Sequence, residues 1–283
     1  MKRKPTISII FPNFNGRQEC QILLNSLKAL AYPKNKIEVI MVDNASTDES
    51  TGFVKKHFPF VKVINLPGNI GPGAARNEGI KRASGEYIFC TDNDVRFTKN
   101  SLGPLIEVVE SRPKVGIVGG KILDKQSEKL VSCGFNFNRW LGIETGNSRP
   151  DKEVECDWVG DAFMLFKKDL IKKIGLFDHK FFFYAEEADF CLRAKKKGYQ
   201  VLYSPTATIN HGKENDNNLM TVKDNYFEYY KSKFRLIRKH LNLLQQFTSF
   251  TFHLGIAIPV RMILKKEEYH ILKFKAFLKS LNI

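Results

Sequence analysis

The chain has 283 residues, 45 Lys+Arg against 30 Asp+Glu and a net charge of +15, with 43% hydrophobic and 27% charged residues. That length suits one large domain or two modest ones and can bury a real core, while the composition excludes a disordered, collagen-like, coiled-coil or disulfide-scaffold chain. The excess of positive charge asks for an anionic partner: nucleic acid, acidic lipid or a phosphorylated small molecule.

In chain order, Met1-Lys2-Arg3-Lys4 imitates the start of a signal peptide. The apolar run behind it, Ile7–Phe11, is interrupted by Ser8 and stopped by Pro12, too short for a signal core of roughly 7–15 residues. It reads instead as a buried strand. A helix follows at Gln21–Leu30 and a strand at Ile37–Val42, ending on Asp43-Asn44. Ser46 and Asp48 are placed to cap a helix reaching His57. Val61–Leu66 is a strand, Gly71–Ala83 a helix opened by Gly-Pro-Gly, and Glu86–Thr91 a strand ending on Asp92-Asn93-Asp94. Ser101–Ser111 is a helix and Val115–Gly119 a strand. Residues 124–156 read as loops and short strands. Asp169–Ile174 and Ala185–Lys197 are helices, and Gln200–Tyr203 and Ala207–Asn210 are strand pieces around Pro205. A junction is expected near Gly212–Asn218. Alternating strands and helices give an α/β chain with a Rossmann-like, mostly parallel central sheet and flanking helices. Ligands of such sheets bind beyond the carboxyl ends of the strands. Asn13/Asn15, Asp43/Asn44 and Asp92/Asp94 sit at three of those ends.

Cys20, Cys90, Cys133, Cys156 and Cys191 are odd in number and far apart in sequence. That argues against a disulfide framework or zinc knuckle and for a reducing cytosol.

Asp92 and Asp94, two residues apart at a turn, can converge on a hard divalent cation, which would bridge phosphate oxygens; an Asx-rich turn is the plainer reading. Asn69–Gly79 is a small-residue entry to a helix, open to close approach by an anion. Arg76 within it can hold a phosphate or a base carbonyl, or pair with a carboxylate of the sheet. Glu186 and Glu187 open a helix where acids are common for dipole reasons; either can instead project into the cleft as a general base. His211 ends the last strand, where a lone histidine is usually structural.

Together the ordered segments Phe11–Asn15, Val42–Asp48, Asn69–Gly79, Thr91–Asp94, Gly160–Phe166 and Tyr184–Asp189, then Gly198-Tyr199, Pro205 and His211, resemble a family 2 glycosyltransferase. The likeness is strongest to rhamnosyltransferase-like and polysaccharide-assembly members and covers roughly residues 6–240. It implies a GT-A fold and an inverting sugar transfer from a nucleotide-diphosphate sugar. By this resemblance Pro12, Asn13, Asn15, Asp43, Asn44, Arg76 and Asn93 lie on the nucleotide-sugar, Asp92, Asp94 and His211 hold Mn²⁺ or Mg²⁺, and Glu187 or Glu186 is the base. Glu187 stands where the family usually has Asp. Asp161 is an extra acid which, with Trp158, is expected on the acceptor side. The acceptor is expected to be a saccharide or lipid-linked hydroxyl in cell-surface glycan synthesis.

Residues 223–283 carry 12 Lys/Arg against four acids, a net +8, and leave +7 on residues 1–222. Leu241–Val260 holds no charged residue but is too polar for a clear span. With basic clusters at Lys231–Lys239 and Arg261–Lys266 it reads as a helical extension lying on an anionic membrane surface, against a plain packed cap. The division expected is therefore a catalytic unit 1–222 and a basic helical extension 223–283, with the protein cytoplasmic and peripheral on the inner face of the membrane. A nucleotidyltransferase lacks its Gly-rich Arg/Lys loop here. A nucleic-acid binder gains only partial support from Tyr226, Phe227, Tyr229 and Tyr230, and no nucleic-acid partner is expected. A processive synthase is disfavoured because Arg139-Trp140 has Asn136 in place of the Gln of the Gln-x-x-Arg-Trp motif.

Overall fold

The computed structural model describes residues 4–212, 222–257 and 275–280. The strands in chain order are β1 (Ile7–Asn13), β2 (Ile37–Asp43), β3 (Val61–Asn65), β4 (Tyr87–Thr91), β5 (Val95–Phe97), β6 (Val115–Asp124), β7 (Leu130–Ser132), β8 (Phe135–Asn138), β9 (Ile143–Gly146), β10 (Val154–Glu155), β11 (Phe163–Lys167) and β12 (Gln200–His211). The helices are α1 (Arg17–Ser26), α2 (Ser50–His57), α3 (Pro72–Arg82), α4 (Gly103–Ser111), α5 (Ile171–Ile174), α6 (Glu186–Lys196), α7 (Val222–His240) and α8 (Leu243–Phe250). A π-helical segment, Thr251–Ala257, follows.

The main sheet runs β10-β12-β6-β11-β4-β1-β2-β3, with β5 on β12 and β7 on β6; β8 and β9 form a separate hairpin. Strands β4, β1, β2 and β3 are parallel, as are β6 and β12. The sheet is mixed rather than uniformly parallel, because β11 inserts antiparallel between β4 and β6.

Both faces are covered, so the central strands read as unbroken apolar runs. Alternate residues serve opposite cores. Ile10, Ile40, Val42, Ile88 and Cys90 pack in one core with α3, α6 and α7. Ile9, Phe11, Val39, Met41 and Phe89 pack in the other with α1, α2 and α4. Gly79 lets α3 lie close on the sheet: a Cβ there would come within 2.5 Å of Ile10 Cγ2.

Some local expectations are corrected. Ser46 does not cap α2, because its hydroxyl accepts from the Asn15 N–H at 2.9 Å; Asp48 accepts from the Ser50 N–H at 3.1 Å. The two strand pieces around Pro205 are one strand, irregular between Ser204 and Thr208. The short β5 escaped the sequence reading, since three residues carry too little pattern. The expected junction at 212–218 lies outside the described residues apart from Gly212, as does the basic cluster Arg261–Lys266.

The C-terminal extension shares a core with the body. Tyr230, Phe234, Leu236, Ile237 and Leu241 pack with Trp158 and Phe190. Among the described residues no helix is long and apolar enough to cross a membrane.

Candidate active site

The parallel register aligns Asn13 with Asp43 and Asp43 with Asn65 at the carboxyl ends of their strands. Asn13 is buried, and its amide donates to Asp43 Oδ1 (3.0 Å) and to the Ser50 hydroxyl (2.8 Å). Its carbonyl accepts from Asn93 Nδ2 at 2.8 Å. The other Asp43 oxygen accepts from the Ser46 N–H at 2.9 Å. Asn15 accepts from the Thr47 N–H at 2.7 Å, and Asn44 from the Ile70 N–H at 3.0 Å. Asn13, Asn15, Asn44 and Asn93 thus tie three strand ends and the entry to α3 into one rim. Pro12 is half-buried beside them.

A second group forms where β4 turns into β5. The antiparallel pairing of Val95 with His211 brings β12 against that turn. His211 Nε2 lies 3.1 Å from Asp94 Oδ1 and 3.4 Å from Asp92 Oδ2. Burial alone would lower the histidine, but hydrogen bonds to Asp92 and Asp94 lift it to about 10. Two carboxylates and an imidazole whose donor atoms lie within 4.8 Å of one another suit Mg²⁺ or Mn²⁺.

Between this triad and α6 stands Arg76, 1% exposed. Its guanidinium donates to Asp92 and to Asp161, and Nη1 lies 3.9 Å from Glu186 Oε1. Burial would raise the Asp92 carboxyl, but Arg76 and His211 outweigh it and hold Asp92 low. Burial outweighs Arg76 at Asp161 and raises its carboxyl above the ordinary value. Arg76 thus pairs with carboxylates, and its Nε has no hydrogen-bond partner among the described residues. Of its two sequence readings, the structure shows the carboxylate pairing.

The chain enters α6 through two consecutive left-handed residues, Tyr184 (φ 67°) and Ala185 (φ 64°). Non-glycine residues there cost of order 1–3 kcal/mol each, a strain common at functional sites. The approach is fixed by Gly71 (φ 85°), where a Cβ would lie 2.1 Å from the Phe182 carbonyl oxygen. The result separates two adjacent acids. Glu186 is 3% exposed and turned toward Arg76, and its Oε2 has no hydrogen-bond partner among the described residues. Burial first, then the Glu187 and Asp161 charges, push it well above the ordinary range. Glu187 instead lines a cavity, and burial followed by Asp161 brings it to about 8. The carboxylates of Asp161, Glu186 and Glu187 lie within 4.8 Å of one another.

That cavity has walls of Phe135, Phe137, Trp158, Tyr184 and Tyr229, with Glu144 and Lys233. Trp158 is 2% exposed and stacks on Phe135 at 5.8 Å. The Tyr229 hydroxyl donates to Glu144 at 2.5 Å. Tyr229, Lys233 and Glu144 were not legible as site residues. The run Tyr226–Lys233 showed aromatics interleaved with lysines, but only the packing of α7 turns it inward; Glu144 carried no signal.

The family model for glycosyl transferase family 2 matches residues 8–175. The poly-beta-1,6-N-acetyl-D-glucosamine synthase of Staphylococcus epidermidis is 28% identical over 206 residues, 71% of this chain and 48% of that protein. An N-acetylglucosaminyl-diphospho-decaprenol L-rhamnosyltransferase of Mycobacterium tuberculosis is 23% identical over 205 residues, 62% of this chain and 67% of that protein. The chain thus spans about half the length of the first of these relatives. Among solved structures, GalNAc-T7 with UDP, GalNAc and Mn²⁺ superposes with a TM-score of 0.73 at 12% identity, over 100% of this chain and 57% of that one. That likeness establishes the GT-A fold and nothing finer.

Proposed function

The chain belongs to glycosyl transferase family 2, and we propose that it is an inverting glycosyltransferase moving a sugar from a nucleotide-diphosphate donor to a hydroxyl of a saccharide or lipid-linked acceptor in cell-surface glycan synthesis. One observation carries this reading: Glu187 faces an aromatic-walled cavity while its neighbouring carboxylates connect through Arg76 to the triad Asp92, Asp94 and His211. A base on the acceptor side and a cation site on the donor side are what a single displacement requires.

The nucleoside lies against Pro12, Asp43 and the asparagine rim. Asp92, Asp94 and His211 would hold Mn²⁺ or Mg²⁺, which supplies neutralisation of the charge growing on the leaving diphosphate. Trp158, Phe137 and Tyr184 offer flat apolar faces to a sugar ring, and Glu187 takes the proton from its attacking hydroxyl. Glu186 and Asp161 act as positioning residues: with Arg76 they fix the spacing between the donor and acceptor halves. Support for a nucleotide donor and a divalent metal comes from the UDP and Mn²⁺ bound by GalNAc-T7. Support for a lipid-linked acceptor comes from the mycobacterial rhamnosyltransferase. Residues 1–222 carry the catalytic groups named in the sequence, and the basic residues 223–283 bring the protein to an anionic membrane on its cytoplasmic side.

The test is a panel of nucleotide sugars with Mn²⁺ or Mg²⁺, scored for nucleoside diphosphate release. Release with one donor, lost in Glu187→Gln, supports the reading. Pyrophosphate release, or neither turnover nor binding with any donor, overturns it.

A further inference from the structure

We propose that the outer face of α8 together with Trp140 is a docking face for an anionic lipid bilayer, and that it seats the acceptor cavity at the lipid surface. Helix α8 turns most of its large apolar side chains away from the body. Its inward side sets Phe250 against the Phe234 and Phe277 rings, beside polar groups: Ser249 is buried, and Gln246 Nε2 donates to the carbonyls of Leu241 (2.8 Å) and Arg238 (3.2 Å). Its outward side is apolar: Leu243 is 84%, Phe247 68% and Leu244 61% exposed. Trp140 joins this face, since its carbonyl accepts from the Thr248 hydroxyl at 2.8 Å while the residue is 53% exposed. Ile256, 53% exposed, follows in the π-helical segment. The helix is held in this orientation by the bonds of Gln246 and by Thr248 and Ser249, whose hydroxyls donate to the Trp140 carbonyl, and a capping box between Asn242 and Gln245 starts it.

Charge selects the occupant. The stretch 241–260 is uncharged, whereas residues 223–283 as a whole carry a net +8 in sequence. An apolar patch on an extension of net positive charge complements acidic headgroups above acyl chains, and an indole is at home at that interface. A second copy of the chain would instead set one net-basic extension against another.

The hairpin β8–β9 gives this face a consequence. Its turn carries Trp140, and Glu144 on β9 lines the cavity that holds Glu187. Docking through the turn brings that cavity to the headgroup level, where the sugar of a lipid-linked acceptor is found. The docking face rests on the membrane reading of residues 223–283 above, and this last step rests on the acceptor reading as well.

The experiment is co-sedimentation of the full chain with vesicles of phosphatidylglycerol and phosphatidylcholine in equal parts, against phosphatidylcholine alone. The wild type should bind the acidic vesicles, and Leu243→Asp/Phe247→Asp should bind roughly tenfold or more weakly, with an unchanged circular dichroism spectrum and unchanged donor hydrolysis in solution. Brominated acyl chains should quench tryptophan fluorescence in the wild type and not in Trp140→Phe, since the chain has two tryptophans and Trp158 is buried. Equal binding by the double variant, no binding by the wild type at low salt, or a wild-type dimer that the double variant dissolves would each overturn the proposal. Donor hydrolysis without vesicle binding rejects the docking face and leaves the transferase reading intact; vesicle binding without donor hydrolysis does the reverse.

Discussion

Glu187 faces opposite demands from chemistry and from folding. Its ordinary value of 4.5 rises to about 8 in the folded chain. As a base it works only when ionised, so kcat/KM should fall as pH drops below about 8. As a buried acid it contributes stability that is full below 4.5 and lost as pH rises through 8. Glu187→Gln should therefore lower turnover by about 10²–10⁴-fold and yet raise Tm when measured above pH 8; an unchanged rate would remove Glu187 from the base role. Glu186→Gln should weaken turnover less, because Glu186 is turned to Arg76 rather than into the cavity. At His211 a proton shared with Asp92 and Asp94 competes with a cation for the same atoms. Mn²⁺ binding should release protons and tighten as pH rises, which calorimetry in two buffers of different ionisation enthalpy would register.

Between elements, the critical joints are few and specific. Asp189 on α6 is fully buried and ties α6 to α7: Arg193 Nε, Lys239 Nζ and His240 Nε2 each lie 2.8 Å from its oxygens. Burial would raise its carboxyl, but His240, Arg193 and Lys239 carry it down to about 2. The stability it contributes is present above 3.8 and lost as pH falls through about 2. Asp189→Asn should cost about 3–5 kcal/mol at neutral pH, the usual penalty for breaking a buried ion pair, and the loss should shrink in acid. A denaturant titration at two pH values measures both. Gly71→Ala meets both a positive φ and the Phe182 carbonyl. It should lower Tm and, by shifting the approach to α6, depress turnover as well. Unaltered kinetics in a destabilised Gly71→Ala would show that the α3–α6 approach does not set the position of Glu187.

At the scale of the molecule, α7 closes the core that the sheet and α6 begin, so a chain ending at residue 221 should fail to give a soluble folded protein, and the full chain should melt in one transition. Two resolved transitions would show the extension to be an independent unit. Mn²⁺ at about 100 times its Kd should add about 2.7 kcal/mol of stability by mass action, and a chelator should remove it together with turnover. By itself the sequence determined the alternation of strands and helices, the three strand ends that carry polar side chains, and the acids proposed to do the chemistry. Apolar periodicity and Asp or Asn at a strand terminus are local properties, and a short window of residues contains them. Only the tertiary structure decided that Arg76 is enclosed by carboxylates, that Glu187 rather than Glu186 faces the cavity, and that Glu144, Tyr229 and Lys233 wall it. Those facts depend on residues as far apart in sequence as Arg76 and Glu186 being brought together by packing, and a side chain's direction at such a meeting is set by its partners rather than by its neighbours in the chain.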